Sequence, residues 1–364
     1  MTISLTGTAV LLPLELPARA ETGPTTTVRR YAAVRNASIL EITGRDDDAF
    51  TAEELLPGLY STADRERRQW YVELDGELVG CCALDILQDD GGRTGMVTIA
   101  LLRRVWGRGI GSSAYAHVET AAREAGVRKL LHWSAHHDDG TAQPVLESPT
   151  GFGSVPVDHG ARFLLRHGFR LEQVERASAL TWSDATRARL EALRGEAQGQ
   201  AVGYRLVQWT IPTPPEHLDG YAWMKSRMST DVPDADLGSP EEAWDHARVR
   251  RQDERLAQRG WTMLVTAAQH LGTGQLCAFN ELAVGSDPTR STHQYDTLVL
   301  SEHRGHRLGM LVKTAGLITW REQHPDSPSV ITYNAEENRP MLDINETIGF
   351  APIDYEGAWK KELT

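Results

Sequence analysis

Cysteine is scarce in this chain: 364 residues contain Cys81, Cys82 and Cys277, an odd number with two adjacent in a strand-like run. That excludes a disulfide framework. Long apolar runs are missing too. The N-terminal stretch Ala9 to Leu14 has no basic segment before it and is interrupted by Pro13, Glu15 and Pro17, so neither a signal peptide nor a membrane span is expected. A cytoplasmic protein is the expectation. Positive charge is in deficit, with 38 Lys and Arg against 50 Asp and Glu. The resulting formal charge of −12 argues against nucleic acid or an anionic membrane as a general partner. Metal-ligand spacing is lacking as well: His132, His136, His137, Asp138 and Asp139 cluster without a cysteine or a fourth ligand at a metal spacing. No metal is expected, and the histidines read better as strand-end residues facing a cleft.

What the chain does have is a stretch running from Tyr295 to Trp320. It begins with a short apolar run around Leu298, Val299 and Leu300, as a doubly buried strand would. A basic, glycine-containing turn follows, Arg304-Gly305-His306-Arg307-Leu308-Gly309, and then Leu308, Leu311, Val312, Ala315 and Ile318 recur at helical spacing. Strand, cationic turn and amphipathic helix in that order aim free backbone N–H groups and a helix dipole at one point, which suits a phosphate or pyrophosphate.

The pattern occurs twice. Met96 to Arg123 repeats it, with an apolar strand, the turn Trp106-Gly107-Arg108-Gly109-Ile110-Gly111, and a helix carrying Ile110, Ala114, Val118 and Ala121 on one face. Gly111 corresponds to Gly309, and Gly168-Phe169 to Gly349-Phe350 at the end of each copy. This internal duplication, with a length prior of about 150 residues per domain, predicts two domains. Arg103, Arg104 and Arg108 in one turn, and Arg304, His306 and Arg307 in the other, reverse the overall negative sign and read as anion sites.

Val299 five residues before Arg304, R-G-x-x-L-G opening a helix, and downstream Asn334, Asn338 and Ile348-Gly349-Phe350 together resemble the acetyl-CoA site of the GNAT acetyltransferase superfamily. The superfamily pattern is [QR]-x-x-G-x-[GA] after a strand. Arg307 stands where the middle glycine is usual, and Trp106 replaces the usual Gln or Arg of the first copy. The resemblance implies an α/β (α+β) fold of two tandem GNAT-like domains, each a mixed, mostly antiparallel sheet flanked by helices and splayed at the cofactor cleft. Residues 1–182 are expected to form the first, 183–203 a polar, partly helical linker, and 204–364 the second, proposed catalytic domain.

Within this frame the chain reads in order. A strand is expected over Ala9 to Leu16, and helical segments from Arg29 to Tyr60 with a break at Gly44 and a new start near Thr51. A hairpin turns at Asp75-Gly76. A strand covers Lys129 to Ser134, and a long loop without hydrophobic period runs from His137 to Val157. Asp158 to Phe169 reads as a helix and Leu171 to Leu180 as a strand. The second copy opens with a strand from Tyr204 to Ile211, a helix carrying Tyr221, Trp223, Met224 and Met228, and another from Glu241 to Arg259. Trp261 to Ala268 and Gln275 to Val284 form a hairpin-like pair.

The resemblance implies acetyl-CoA as cofactor and an amine on a small molecule or peptide as acceptor. Its binding residues would be Leu298, Val299, Arg304, Gly305, His306, Arg307, Leu308, Gly309, Asn334 and Asn338, with Leu101, Arg104, Gly107, Arg108, Gly109, Ile110 and Gly111 in the first copy. A protonated amine is not nucleophilic, so a proton acceptor is needed. Glu281 and Asp296, on neighbouring expected strands, are the candidates. The family commonly places a tyrosine four residues before the terminal glycine to protonate the thiolate. Asn345 and Leu164 occupy that position here; Asn345 can offer a hydrogen bond and Leu164 cannot. The second copy is therefore the expected catalytic one. Two rival readings remain open, a non-catalytic CoA-binding or regulatory protein and an acyltransferase for a longer acyl-CoA. Tyr221, Trp223, Trp244 and Trp261 line an acceptor pocket or belong to the core.

Overall fold

The computed structural model describes residues 2–137 and 144–363. Asp138 and Asp139 of the histidine cluster therefore lie outside the described residues. The chain divides into two compact units, the first made of Met1–Val174, Asp234–Pro240 and Asp354–Thr364, the second of Glu175–Pro233 and Glu241–Ile353.

In chain order the elements of the first copy are β1 (Ile3–Ser4), β2 (Ala9–Pro13), α1 (Thr26–Thr43), α2 (Ala52–Leu55), β3 (Arg65–Leu74), β4 (Glu77–Leu87), β5 (Thr94–Leu101), α3 (Ile110–Glu124), β6 (Lys129–His136), β7 (Val145–Glu147), β8 (Ser154–Pro156) and α4 (His159–Arg166). β9 (Arg170–Thr181) and α5 (Asp184–Gln200) follow, then β10 (Tyr204–Thr210), α6 (Leu218–Asp231), α7 (His246–Gln258), β11 (Thr262–His270), β12 (Leu276–Val284), β13 (Thr292–Val299), α8 (Leu308–Gln323), β14 (Ser329–Ala335), α9 (Arg339–Ile348) and β15 (Ala351–Glu362).

Local chemistry sets many of the boundaries. Thr25 caps α1 by accepting from the Val28 N–H, and Gly44, at φ 68°, ends it in the left-handed region. Thr51 and Glu54 form the capping box that opens α2. Asp75 and Gly76, at φ 51° and 82°, join β3 to β4 through a type I′ hairpin turn.

The sheet of the first unit runs β1-β2-β3-β4-β5-β6-β15, antiparallel except at β5/β6. α3 covers one face, burying Ile110, Ala114, Val118 and Ala122 with Cys82, Leu84 and Val97. Its last strand comes from the far end of the chain: Tyr355 pairs with His136 and Glu362 with Lys129. The second unit runs β9-β14-β13-β12-β11-β10, antiparallel except at β13/β14, with Glu175 to Thr181 of β9 beside β14. Each unit thus takes its terminal strand from the other copy, and the compact units do not follow the linear division at residues 182 and 204.

The segment expected as a linker carries α5, which packs along α8 in the second unit. α8 explains the need for it. Leu308 through Leu317 are buried on every side, and a helix buried all round requires cover beyond the sheet beneath it. α5 supplies Leu190 and Ala197 to that core. Two smaller differences concern local structure. The loop expected over 137–157 contains the β7/β8 hairpin. Residues before Asp245 are not helical, because Asp245 is the N-cap of α7, its side chain accepting from the Arg248 N–H.

Candidate active site

In the second unit, β13 and β14 pair in parallel from Thr292/Val330 to Gln294/Thr332 and then part. β13 continues against β12 as far as Val299, and β14 against β9 as far as Ala335. The first unit repeats the splay, with β5 and β6 paired from Thr94/Lys129 to Met96/Leu131. The two units differ next to it. In the second, the β12/β13 register jumps between Asn280/Thr297 and Leu282/Gln294, so Tyr295 and Asp296 both stand opposite Glu281. That is a β-bulge, a device that re-aims side chains at sheet positions next to active sites. In the first, the β4/β5 ladder runs unbroken from Leu87/Thr94 to Gly80/Leu101.

The bulge brings together the two carboxylates singled out in the sequence. Glu281 lies within β12, whose residues are all buried. Lys225 of α6, itself buried, places its Nζ 3.0 Å from Glu281 Oε1 and donates also to Asp296 Oδ2. Tyr221, one turn earlier on α6, donates its hydroxyl to Glu281. Burial raises the Glu281 carboxyl above the usual range, Lys225 pulls it back, and the neighbouring Asp296 charge pushes it up again. For Lys225, burial acts downward, but Asp296 and Glu281 outweigh it and raise the ammonium above its ordinary value. Burial and the Glu281 charge drive the Tyr221 phenol well above its usual range. Asp296 has a side chain 34% exposed, and is the member of the cluster that a substrate can reach.

Sequence reasoning missed Lys225. A carboxylate inside the apolar run Leu276 to Val284 demands a buried cation, and that demand was the available signal. Tyr221, weighed as a pocket residue, is instead tied to Glu281. Trp261 is core. Trp223 and Trp244 line a groove of about 460 Å³ together with Asp219, Ser226, Asp245 and His246. The Trp244 ring lies 5.1 Å from Lys225 Nζ, so this groove borders the carboxylate cluster.

The cationic turn lies just beyond β13. Arg304 Nε donates to the Val299 carbonyl at 3.3 Å. Gly305 (φ 85°) and Arg307 (φ 57°) are left-handed, and Arg307 is the N-cap of α8 with no side chain capping the helix. The first-turn amides are thereby left for a ligand. Arg304, His306 and Arg307 are exposed, Leu298 and Leu308 buried. A Cβ on Gly309 would come within 3.1 Å of Ile344 Cδ1 and 3.4 Å of Val299 Cγ2, so the glycine lets α8 start against the strand end and α9. Asn338 is the N-cap of α9. Asn345, on α9, donates its Nδ2 to Asn334 Oδ1 at 2.7 Å, while its own Oδ1 is buried with no partner among the described residues. These residues fit a CoA-type cofactor: free helix amides and a guanidinium suit its phosphates, and the orphaned Asn345 acceptor adds a polar contact at the splay.

The first-copy residues have the same framework with different occupants. Gly111 would meet Leu101 Cδ1 at 3.2 Å and Phe163 Cε2 at 3.4 Å if it carried a Cβ, matching Gly309. Gly107 and Gly109 are left-handed and Ile110 is core. Trp106 Nε1 donates to the Leu101 carbonyl at 2.7 Å, the same bond that Arg304 makes at Val299, and its ring stacks on His159 with centroids 4.2 Å apart. His132 Nδ1 lies 2.7 Å from the Val97 carbonyl inside the splay, and burial brings its imidazole down to about 4. The Thr6 side chain lies over Gly109, Arg104 pairs with Glu77, and Arg108 is exposed. Leu164 is core. His132, His136 and His137 form no metal-binding group among the described residues, and no helix among them is long and apolar enough to cross a membrane.

Comparison with known proteins bears on the fold. The model of the acetyltransferase (GNAT) family matches residues 37–152, within the copy whose turn keeps its glycines. A tandem GNAT protein from the clavulanic acid biosynthesis pathway, solved without AcCoA, is 23% identical with a TM-score of 0.72, covering 97% of this chain and 98% of its own. A GCN5-related N-acetyltransferase from Sphaerobacter thermophilus is 15% identical with a TM-score of 0.61, covering 99% and 97%. Saccharomyces cerevisiae N-myristoyltransferase, solved with bound myristoyl-CoA and inhibitors, is 9% identical with a TM-score of 0.57, covering 99% and 81%. At these identities the likeness is one of fold. Among curated proteins, none matches the sequence. The GNAT family model thus matches the first copy, and the chain over its whole length has the fold of the tandem GNAT protein.

Proposed function

We propose that this protein is an acetyl-CoA-dependent N-acetyltransferase acting on an amine of a small molecule or peptide, with its chemistry in the second unit. The observation that carries this reading is the β13 bulge. It stands Asp296 opposite Glu281 and beside Lys225, on the strand that runs on to Val299 and leads into the uncapped turn Arg304–Gly309.

Acetyl-CoA, when bound, supplies an acyl group on a thiol leaving group. Arg304, Arg307 and the first-turn amides of α8 would hold its phosphates, with Val299, Gly309, Asn334, Asn338 and Asn345 along the splay. Asp296 accepts the proton that the incoming ammonium must lose, directly or through one water. Glu281 is a positioning residue: buried and bonded to Tyr221 and Lys225, it fixes the cation that orients Asp296. The bordering groove, with Trp223 and Trp244 as walls and Asp219 and Asp245 at its edge, suits a cationic amine by charge and by cation–π attraction. The filling of the first splay by His132 and Trp106 supports a structural role for that copy.

The test is thiol release from acetyl-CoA in the presence of a panel of primary amines. Asp296→Asn should lower kcat by about 10²- to 10⁴-fold while leaving the KM for acetyl-CoA unchanged. Full activity in that variant would remove Asp296 from the mechanism. Acetyl-CoA binding without turnover on any amine would favour the regulatory reading, and faster turnover with a long-chain acyl-CoA would move the donor assignment.

A further inference from the structure

The first unit holds a second set of reactive groups that amine acetylation does not use. Ser134 and His136 lie two residues apart on β6, so their side chains share a face. Ser134 Oγ is 2.7 Å from His136 Nε2, and His136 Nδ1 is 3.0 Å from Asp158 Oδ2. Serine, imidazole and carboxylate thus stand in the order and spacing of a nucleophile, its base and the group that orients the base. Three further features fix the array. Asp158 is the N-cap of α4, its Oδ1 accepting from the Ala161 N–H at 2.8 Å, which leaves Oδ2 for the histidine. Burial would raise the Asp158 carboxyl, but the His136 bond and the α4 amides outweigh it and hold it below the usual range. Trp359 Nε1 donates to Ser134 Oγ at 2.8 Å, and the indole is seated against Gly357, where a Cβ would come within 2.6 Å of Nε1. Ser134 is half-buried, and it lies past Leu131, where β6 has parted from β5, so that neighbouring strand does not cover it.

We propose that Ser134 is a nucleophile for acyl groups carried on a good leaving group, with His136 as its base and Asp158 as the residue that orients His136. The Ser134 Oγ–acyl bond forms as the hydroxyl proton passes to His136 Nε2 and the bond from the acyl carbon to the leaving oxygen or sulfur breaks. The departing alkoxide or thiolate takes that proton from Nε2. Water then cleaves the Oγ–acyl bond, giving the carboxylic acid and restoring serine. The Trp359 N–H stabilises charge on Oγ as its proton leaves, and the Asp158 carboxylate stabilises the imidazolium. The inference stands apart from amine acetylation in the second unit, since it needs neither Asp296 nor an amine.

The test exposes the full-length protein, without any amine, to p-nitrophenyl acetate and, separately, to acetyl-CoA, and maps acetylation by peptide mass spectrometry. The expected result is an acetyl group on Ser134 in wild type. It should be absent from Ser134→Ala and form about 100-fold more slowly in His136→Gln; circular dichroism and the thermal midpoint establish that both variants are folded. Labelling by the nitrophenyl ester alone assigns an oxygen ester as the acyl source, and labelling by acetyl-CoA assigns a thioester. Wild type that shows no Ser134 adduct with either reagent, and releases p-nitrophenol and free CoA no faster than Ser134→Ala, overturns the proposal. So does an adduct forming at the same rate in Asp158→Asn and His136→Gln as in wild type. Retention of amine acetylation in Ser134→Ala would show that the two sites act independently.

Discussion

Replacing Lys225 by Met keeps an unbranched stem of similar length and removes the cation that joins Glu281 to Asp296. Asp296, with a third of its side chain exposed, can be solvated, so the loss falls on Glu281, which is 1% exposed and retains the Tyr221 hydroxyl as a donor. Removing one partner of a buried ion pair typically costs about 3–5 kcal/mol, because the remaining charge stays in a low dielectric. Glu281 can relieve part of that cost by taking up a proton. Its folded pKa then rises further above the unfolded value of about 4.3, so stability is lost as pH rises between the two, and the variant should be worse at pH 8 than at pH 5. The double variant Lys225→Met/Glu281→Gln removes both buried charges and should recover most of the loss. Urea unfolding at fixed m-value measures all three proteins. A loss below about 1 kcal/mol in the single variant, or a double variant no more stable than the single, would refute the buried-pair account.

Other consequences follow from α8. Lys313 is fully buried, with Met341 Sδ at 3.8 Å and the Phe350 ring at 5.8 Å, and burial brings its ammonium down to about 7. Its folded pKa lies below the unfolded value, so its contribution is complete above about pH 10.5 and is lost as pH falls toward 7. Stability of the second unit should therefore rise by about 1 kcal/mol per pH unit over pH 7 to 9, and Lys313→Met should flatten that slope in denaturant titrations. Arg307→Gly should relieve a left-handed conformation costing about 1–2 kcal/mol, leaving thermal stability unchanged or raised, while weakening CoA binding in a direct titration. Gly309→Val should destabilise by about 1–3 kcal/mol, because its Cβ meets Ile344 and Val299, and should also impair CoA binding.

The features legible in the sequence are the local ones. The strand, turn and helix of each copy are written in hydrophobic spacing and in Gly107, Gly109, Gly305 and Gly309, and their duplication carried the two-copy fold. Glu281 and Asp296 could be named as neighbours because strands were expected on either side of residue 290. What could not be read depends on tertiary partners. Lys225 lies 56 residues from Glu281 and reaches it only because α6 packs beneath β12. The β13 bulge is a one-residue change of register with no local signature. α5 looked like a linker because its surface is polar; Thr186, Leu190 and Ala197 are buried and Leu193 packs against the core at partial exposure, too sparse a stripe to announce a core helix. The terminal-strand exchange follows from which sheet edge is available to β9 and β15, which a linear reading in domain order does not contain.

Calorimetric titration with acetyl-CoA tests the central claim most directly, namely that the second unit binds the acyl donor and carries the chemistry. The account predicts one site per chain, lost in Arg304→Ala and kept in Arg108→Ala. Binding that persists in Arg304→Ala but disappears in Arg108→Ala would place the donor in the first copy. Wild type that binds no acetyl-CoA would contradict the transferase reading itself.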